Sequence, residues 1–204
     1  MRGLGLTAAV FLALAAPVWS GALPALRDGD VVFHTSRSAQ SVAIQSATHS
    51  PYSHMGLVVF RGGKPFVLEA ISTVRETPLQ EWLARGAGGH YVVKRLRDAD
   101  TVLDAEAARR LVAAASRFVG RAYDLTFEWS DDRVYCSELV WKAYHAAIGI
   151  DLGELTELRA FDLTDPRVRS KMRERYGDRV PLGEKVISPA AVFASPRLVV
   201  VAEE

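Results

Sequence analysis

The chain has 204 residues, and its 25 lysines and arginines nearly balance its 24 aspartates and glutamates, which leaves a formal charge of +1 at pH 7. This balance argues against a general nucleic-acid binder, because such domains usually carry a clear basic excess. Hydrophobic residues make up 49% of the chain, so a single domain with a substantial core is expected.

Residues 1–22 have the pattern of a secretory signal peptide. Arg2 supplies the positive start, residues 6–18 form an apolar run, and small residues lead to a cleavage site after Ala22. The run is short for a membrane span. We therefore expect export to the periplasm or the extracellular space, no stable membrane insertion after cleavage, and one hydrolase domain over residues 23–204. A retained anchor is the alternative.

The first part of the mature chain predicts a strand, a short helix and a β-hairpin, followed by a second helix and a strand. Hydrophobic periodicity and turn residues define these elements. Residues 61–64, with two consecutive glycines, form the hairpin turn. Thr77 and Pro78 predict the cap and first residue of the second helix. The predicted ranges are 31–34, a helix from about Ser38 that Pro51 stops, 54–60, 65–71, 78–85 and 90–96.

The second part predicts mostly helices. They cover residues 104–119, 136–148, 166–176 and 189–194, and a last strand covers 197–202. The strands cluster around one hairpin, and the regular alternation of a doubly wound sheet is missing. The pattern therefore predicts the α+β class.

Cys136 is the only cysteine, and it lies in the first turn of a predicted helix. Unpaired N–H groups and the positive end of the helix dipole favour the reactive thiolate there. In an exported protein this residue has no disulfide partner within its own chain. The alternative is an inert cysteine that packs as a small hydrophobic residue.

His54 and Glu69 occupy the two arms of the predicted hairpin. If residues 61–62 form the loop, the two side chains stand directly opposite each other. If residues 62–63 form it, His54 faces Ile71 and Glu69 is its diagonal neighbour on the same face. A three-residue loop would place the two side chains on opposite faces.

Cysteine hydrolysis needs a base beside the thiol and a third group that orients the base. A carboxylate that accepts from one ring nitrogen of His54 would fix the tautomer and leave the other nitrogen free for the thiolate. The alternative for Glu69 is a solvent-exposed strand end. Apolar residues on both sides of Glu69 favour the functional interpretation.

Three groups of residues carry a family resemblance. They are Ser53 to Gly56 (S-H-M-G), Glu69 on the next strand, and Tyr123 to Phe127 followed by Tyr135 to Leu139 (Y-C-S-E-L). In this order they resemble the circularly permuted, YiiX/YebB-like branch of the NlpC/P60 papain-like cysteine hydrolases. Common members of that family place the cysteine first, in a D-C-S-G-L-V setting. The resemblance spans nearly the whole mature chain, although residues 151–186 match no recognisable motif.

The resemblance implies a permuted papain-like fold, in which a small antiparallel sheet or half-barrel packs against helices. It implies Cys136 as the nucleophile, His54 as the base and Glu69 as the orienting residue. The Cys136 backbone N–H would hold the oxyanion, and Tyr52 is a candidate second contributor. A structural role is the alternative for Tyr52.

The expected function is a cell-envelope cysteine amidase or peptidase that forms a thioester acyl-enzyme. Its substrate would be a small molecule or peptide, either an N-acyl amino acid or a peptidoglycan-derived peptide. A lipid ester hydrolase or acyltransferase and a non-catalytic binding module are the alternatives. We expect no cofactor and no metal, although a zinc site built from Cys136, His54 and Glu69 is chemically conceivable. The other four histidines, among them His34, show no ligand spacing.

Overall fold

The structure is a computed structural model that describes residues 25–204. The signal peptide predicted over residues 1–22 lies outside the described residues. In the part that is described, no helix combines the length and the hydrophobicity needed to cross a membrane.

Among the described residues, the fold combines a six-stranded sheet with helices and two short two-stranded sheets. The strands are β1 (Val31–His34), β2 (His54–Arg61), β3 (Lys64–Ala70), β4 (Val74–Pro78), β5 (Tyr91–Leu96), β6 (Ala122–Tyr123), β7 (Arg133–Val134), β8 (Thr156–Glu157), β9 (Lys185–Val186) and β10 (Leu198–Glu203). The helices are α1 (Ala39–Thr48), α2 (Leu79–Ala84), α3 (Ala99–Val102), α4 (Ala105–Ser116), α5 (Cys136–Ile148), α6 (Pro166–Tyr176) and α7 (Pro189–Phe193).

The main sheet has the strand order β10-β5-β1-β2-β3-β4. All five of its pairings are antiparallel. One face packs on the larger apolar core, which includes Leu57 of β2 and Leu139 of α5. The other face carries a smaller core in which Val58 and Val67 pack with Trp82 of α2. This arrangement confirms the predicted α+β class and the antiparallel sheet packed against helices.

The β2–β3 hairpin selects the second of the two predicted registers. Arg61 pairs with Lys64, so that Gly62 and Gly63 form the loop, and both glycines have positive φ angles. Continuing this register places Gly56 opposite Glu69. A β-carbon on Gly56 would lie only 2.4 Å from the Val67 side chain, so the glycine leaves room for the β3 side chains on this face.

The predicted elements agree with the structure where local signals are strong. Ser38 caps α1 and Asp104 caps α4 through side-chain hydrogen bonds, and α5 has the predicted bounds. One prediction was wrong: Thr77 does not cap α2, because residues 74–78 form the edge strand β4. Its hydroxyl donates to Glu69 instead.

Candidate active site

Cys136 is the first residue of α5 and is buried at 3% exposure. As a first-turn residue, it has a backbone N–H with no intrahelical acceptor. Tyr135 precedes it as the cap residue, and its own N–H donates to Glu138 at 3.2 Å. The Ser137 hydroxyl donates to the Ile187 carbonyl at 2.8 Å. These contacts fix the start of the helix and therefore the position of the sulfur.

His54 begins β2, and its ring contacts both other predicted site residues. Its Nε2 lies 2.7 Å from Oε2 of Glu69, and the ring is close enough to the Cys136 side chain for that thiol to raise the pKa of His54. Because Nε2 is engaged by the carboxylate, Nδ1 is the nitrogen left to face the sulfur. The structure therefore brings together the three side chains that the sequence singled out.

Glu69 is fully buried and is surrounded by donors. Its Oε2 accepts from Trp82 Nε1 at 3.0 Å as well as from the histidine. Its Oε1 accepts from the Thr77 hydroxyl at 2.6 Å and from Arg85 at 2.5 Å. A buried carboxylate is stable only when such partners compensate its lost hydration. The network holds Glu69 ionised and fixes the ring plane of His54.

The pKa values of His54 and Glu69 move apart. Burial by itself lowers the pKa of His54, but hydrogen bonds to Cys136 and Glu69 outweigh it and raise the value to about 9. Burial by itself raises the pKa of Glu69, but the hydrogen bond and charge of His54 outweigh it together with Thr77 and Arg85, and the value falls to about 2. At neutral pH the geometry therefore supports an imidazolium between a carboxylate and the sulfur.

We expect the hydrolysis rate to fall as the pH rises through about 9, because His54 then loses the proton that pairs with the sulfur and serves the leaving group. The pKa of His54 in the folded protein lies above its ordinary value of 6.5. The stability that folding gains from protonated His54 is therefore complete below pH 6.5 and is lost as the pH rises through about 9. A pH–rate profile measures the alkaline limb. In Glu69→Gln the limb should move to lower pH, and an unmoved limb would contradict the role of the carboxylate.

Tyr52 packs among aromatic side chains, and its oxyanion role stays a prediction. Its ring stacks on Phe193 at 4.0 Å and meets Phe33 edge-on, so the structure gives it a packing role. Tyr123 and Cys136 line a common space, and the Tyr123 hydroxyl accepts from Gln40 at 2.7 Å. Burial, and then the charge of Cys136, raise its pKa. The Tyr123 O–H therefore remains protonated, which makes this residue a candidate donor that the sequence did not single out.

A narrow apolar slot of about 80 Å³ opens at Cys136. It runs between α1 and α6, which the sequence places far apart. Its walls are mainly aliphatic and aromatic, and they include Ile44, Ala47, Phe161, Leu163, Val168 and Met172. Although Lys171 and Arg175 are also in the lining, such walls fit a hydrocarbon chain better than a hydrated peptide, because burying an amide against apolar surface is costly.

A wider cavity of about 560 Å³ opens on the side of His54. Gln40, Ile44 and Tyr123 line both spaces, so the two are neighbours. The wider cavity is more polar than the slot, and its lining includes Ser36, Arg37, Ser38, Ser41, Ser53 and Arg85. Cys136 lines only the slot, and His54 lines only the polar cavity. The site therefore has an apolar side at the sulfur and a polar side at the imidazole.

The sheet, the helix-borne cysteine and the preceding histidine strand define a papain-like cysteine hydrolase with permuted order. The chain belongs to the C92 family of permuted papain-like amidases (YaeF/YiiX), whose model matches residues 25–202. This membership confirms the resemblance seen in the sequence.

Two relatives from Escherichia coli are similar to the chain. The uncharacterized protein YiiX of strain K12 is 50% identical over 176 residues, which cover 86% of each chain. A crystal structure of yiiX from strain O157:H7 superposes with a TM-score of 0.84 at 50% identity, over 87% of this chain and 97% of that one.

The O157:H7 structure is described as that of a metalloprotein. Between residues 25 and 204 of the present chain, no three histidine, cysteine, aspartate or glutamate side chains are grouped as metal ligands. Both oxygens of Glu69 already accept from protein donors. Cys136, His54 and Glu69 therefore do not fit a metal site.

Proposed function

We propose that the chain is an amidase that removes an apolar acyl group from a polar amine through a thioester on Cys136. The observation that carries the proposal is the division of the site, with the nucleophile at the mouth of an apolar slot and His54 in a polar cavity. Among the expected substrates, this division favours N-acyl amino acids over peptidoglycan peptides, whose acyl portions are themselves polar.

In the proposed mechanism the Cys136 thiolate attacks the amide carbon while His54 is protonated. The tetrahedral oxyanion accepts from the Cys136 N–H and from the Tyr123 hydroxyl. The C–N bond breaks, and His54 donates its proton to the departing amine. Water then enters, His54 removes one of its protons, and attack on the thioester releases the acid and the thiolate. Glu69 orients the ring throughout.

The partition of the substrate follows from this chemistry. The acyl carbon becomes bonded to the sulfur, so the acyl chain lies in the space that Cys136 lines. The amine receives its proton from His54, so the leaving group lies in the space that His54 lines. An apolar acyl chain and a polar amine therefore match the two sides of the site.

The cellular setting of the proposal is the envelope. It rests on the signal-peptide pattern of residues 1–22, and the mature protein would act in the periplasm or outside the cell. The detection of the protein in a periplasmic fraction, with residue 23 at its N-terminus, would test this part.

A series of N-acylglycines with lengthening acyl chains tests the assignment of the slot. We expect kcat/KM to rise with chain length until the slot is full, because each buried methylene contributes about 0.8 kcal/mol. Ala47→Phe should narrow the slot and lower the preference for long over acetyl chains by about tenfold. Val42→Phe is the matched control, because Val42 is an exposed residue of the same helix outside the slot.

A rate that is independent of chain length, or highest for acetyl, would show that the slot does not bind the acyl group. An apolar slot would also accept the acyl chain of a lipid ester. O-acylglycolates with the same acyl chains are therefore assayed beside the N-acylglycines. Hydrolysis of the esters without the amides would replace the amidase proposal with an ester hydrolase.

A further inference from the structure

Two buried polar atoms in the wall of the polar cavity have no partner within residues 25–204. They are Nδ1 of His34 and Nε of Arg85, and both residues line this cavity. His34 is only 2% exposed. Buried polar atoms are nearly always hydrogen-bonded in folded proteins, so these two unpaired atoms mark the cavity as a candidate ligand site.

The charges around the cavity favour an anionic ligand. Its described lining contains two arginines and no aspartate or glutamate. Arg85 is paired with Glu69. Arg37 is exposed, and its side chain donates a hydrogen bond to the Gly86 carbonyl at 3.1 Å. No carboxylate among the described residues neutralises its positive charge.

The start of α1 adds a second positive feature beside Arg37. Ser36, Ser38 and Gln40 of this segment line the cavity, and the ten-residue helix begins at Ala39. The first N–H groups of a helix favour negative charge. The full positive charge of Arg37 therefore lies next to the partial positive charge at the start of α1. Both are on the side of the site where the proposed leaving amine lies.

We propose that this cavity binds a carboxylate carried by the leaving amine, with Arg37 as the residue that determines this specificity. The proposal rests on the amidase function and narrows it: the amine is an amino acid with a free α-carboxylate. The carboxylate accepts from Arg37 and from the start of α1, while the nitrogen stays within reach of His54. Neutral His34 contributes a polar wall without adding charge, because burial lowers its pKa to about 3.

The test compares an N-acylglycine with the N-acylglycinamide of the same chain, which replaces the carboxylate by a neutral amide of similar size. The wild type should prefer the carboxylate in kcat/KM by about tenfold or more, as expected for a charge-assisted hydrogen bond. In Arg37→Gln that ratio should fall to near one. Arg97→Gln is the matched control, because Arg97 is also exposed and bonds only a backbone carbonyl, that of Pro196.

Equal rates on both substrates in the wild type, or an unchanged ratio in Arg37→Gln, would overturn the carboxylate site and leave the amidase intact. A failure to hydrolyse either substrate would overturn the amidase instead. In that case protection of Cys136 from iodoacetamide still decides the inference. N-acylglycine should protect better than the glycinamide in the wild type and in Arg97→Gln, but not in Arg37→Gln, and equal protection in all three would refute the site.

Discussion

Cys136→Ala is expected to abolish hydrolysis while leaving the fold in place. Without the sulfur no acyl-enzyme forms, and the loss of a nucleophile typically costs at least about 10⁴-fold in kcat. The residue is buried but small, so its truncation should lower the free energy of unfolding by only about 1 kcal/mol. Turnover of an N-acylglycine and thermal unfolding measure the two effects.

The same variant should also change the titration of His54. The hydrogen bond to Cys136 is the largest contribution that raises the pKa of this ring, so the pKa should fall clearly below about 9 when the sulfur is removed. NMR of the imidazole reports this shift without any substrate. An unchanged His54 titration would show that the ring and the sulfur do not interact.

Ser137→Ala is the matched control for damage to the start of α5. It removes the bond to Ile187 but keeps the thiol, so we expect a loss of activity of no more than about tenfold. Alkylation gives an independent readout: iodoacetamide should label Cys136 rapidly in the wild type and slowly in His54→Ala. Retained turnover in Cys136→Ala would reject the covalent mechanism, whereas equally slow labelling in both proteins would favour a non-catalytic binding module.

Glu69→Ala should produce the largest combined loss of stability and activity. The substitution leaves His54, Thr77, Trp82 and Arg85 without their shared buried acceptor. Removing one partner of a buried charge network typically costs about 3–5 kcal/mol. Denaturant unfolding measures this loss. The rate should fall by about 10²–10⁴-fold in any protein that remains folded, because His54 loses its orientation.

Glu69→Gln separates the charge of the side chain from its volume. It keeps the size and one acceptor oxygen, so a folded protein is expected, but the negative charge that holds His54 protonated is lost. Thr77→Val is the matched control, since it removes one donor to Glu69 and leaves the carboxylate paired with His54. A wild-type rate and an unshifted His54 pKa in Glu69→Gln would show that the carboxylate has no orienting role.

The sequence alone predicted that His54 and Glu69 meet, and the structure shows that contact. Residue counting across the hairpin placed His54 near Glu69 in either two-residue register, and the structure shows the one in which residues 62–63 form the loop. The end of α5 was predicted because glycine commonly ends helices in the left-handed conformation. Gly149 adopts this conformation in the structure. These features depend on residues that are neighbours in the sequence or across one hairpin.

The edge strand β4 was not predicted, and the reason is local. Thr77 and Pro78 are good helix-start residues, and the preceding segment is polar. The segment is extended because β3 offers it a row of backbone partners. That pairing also turns the Thr77 hydroxyl towards Glu69, so a residue predicted to cap a helix supports the buried carboxylate.

The sequence by itself determined the class of fold, the cysteine at a helix start and the hairpin that carries the histidine and the glutamate. Only the tertiary structure decided that Tyr123 lines the space at Cys136, and that α1 and α6 enclose an apolar slot there. The physical reason is the range of the signals. Caps, turns and periodicity act over a few residues, whereas the walls of a cavity come from segments that meet only when the whole chain buries its apolar surface.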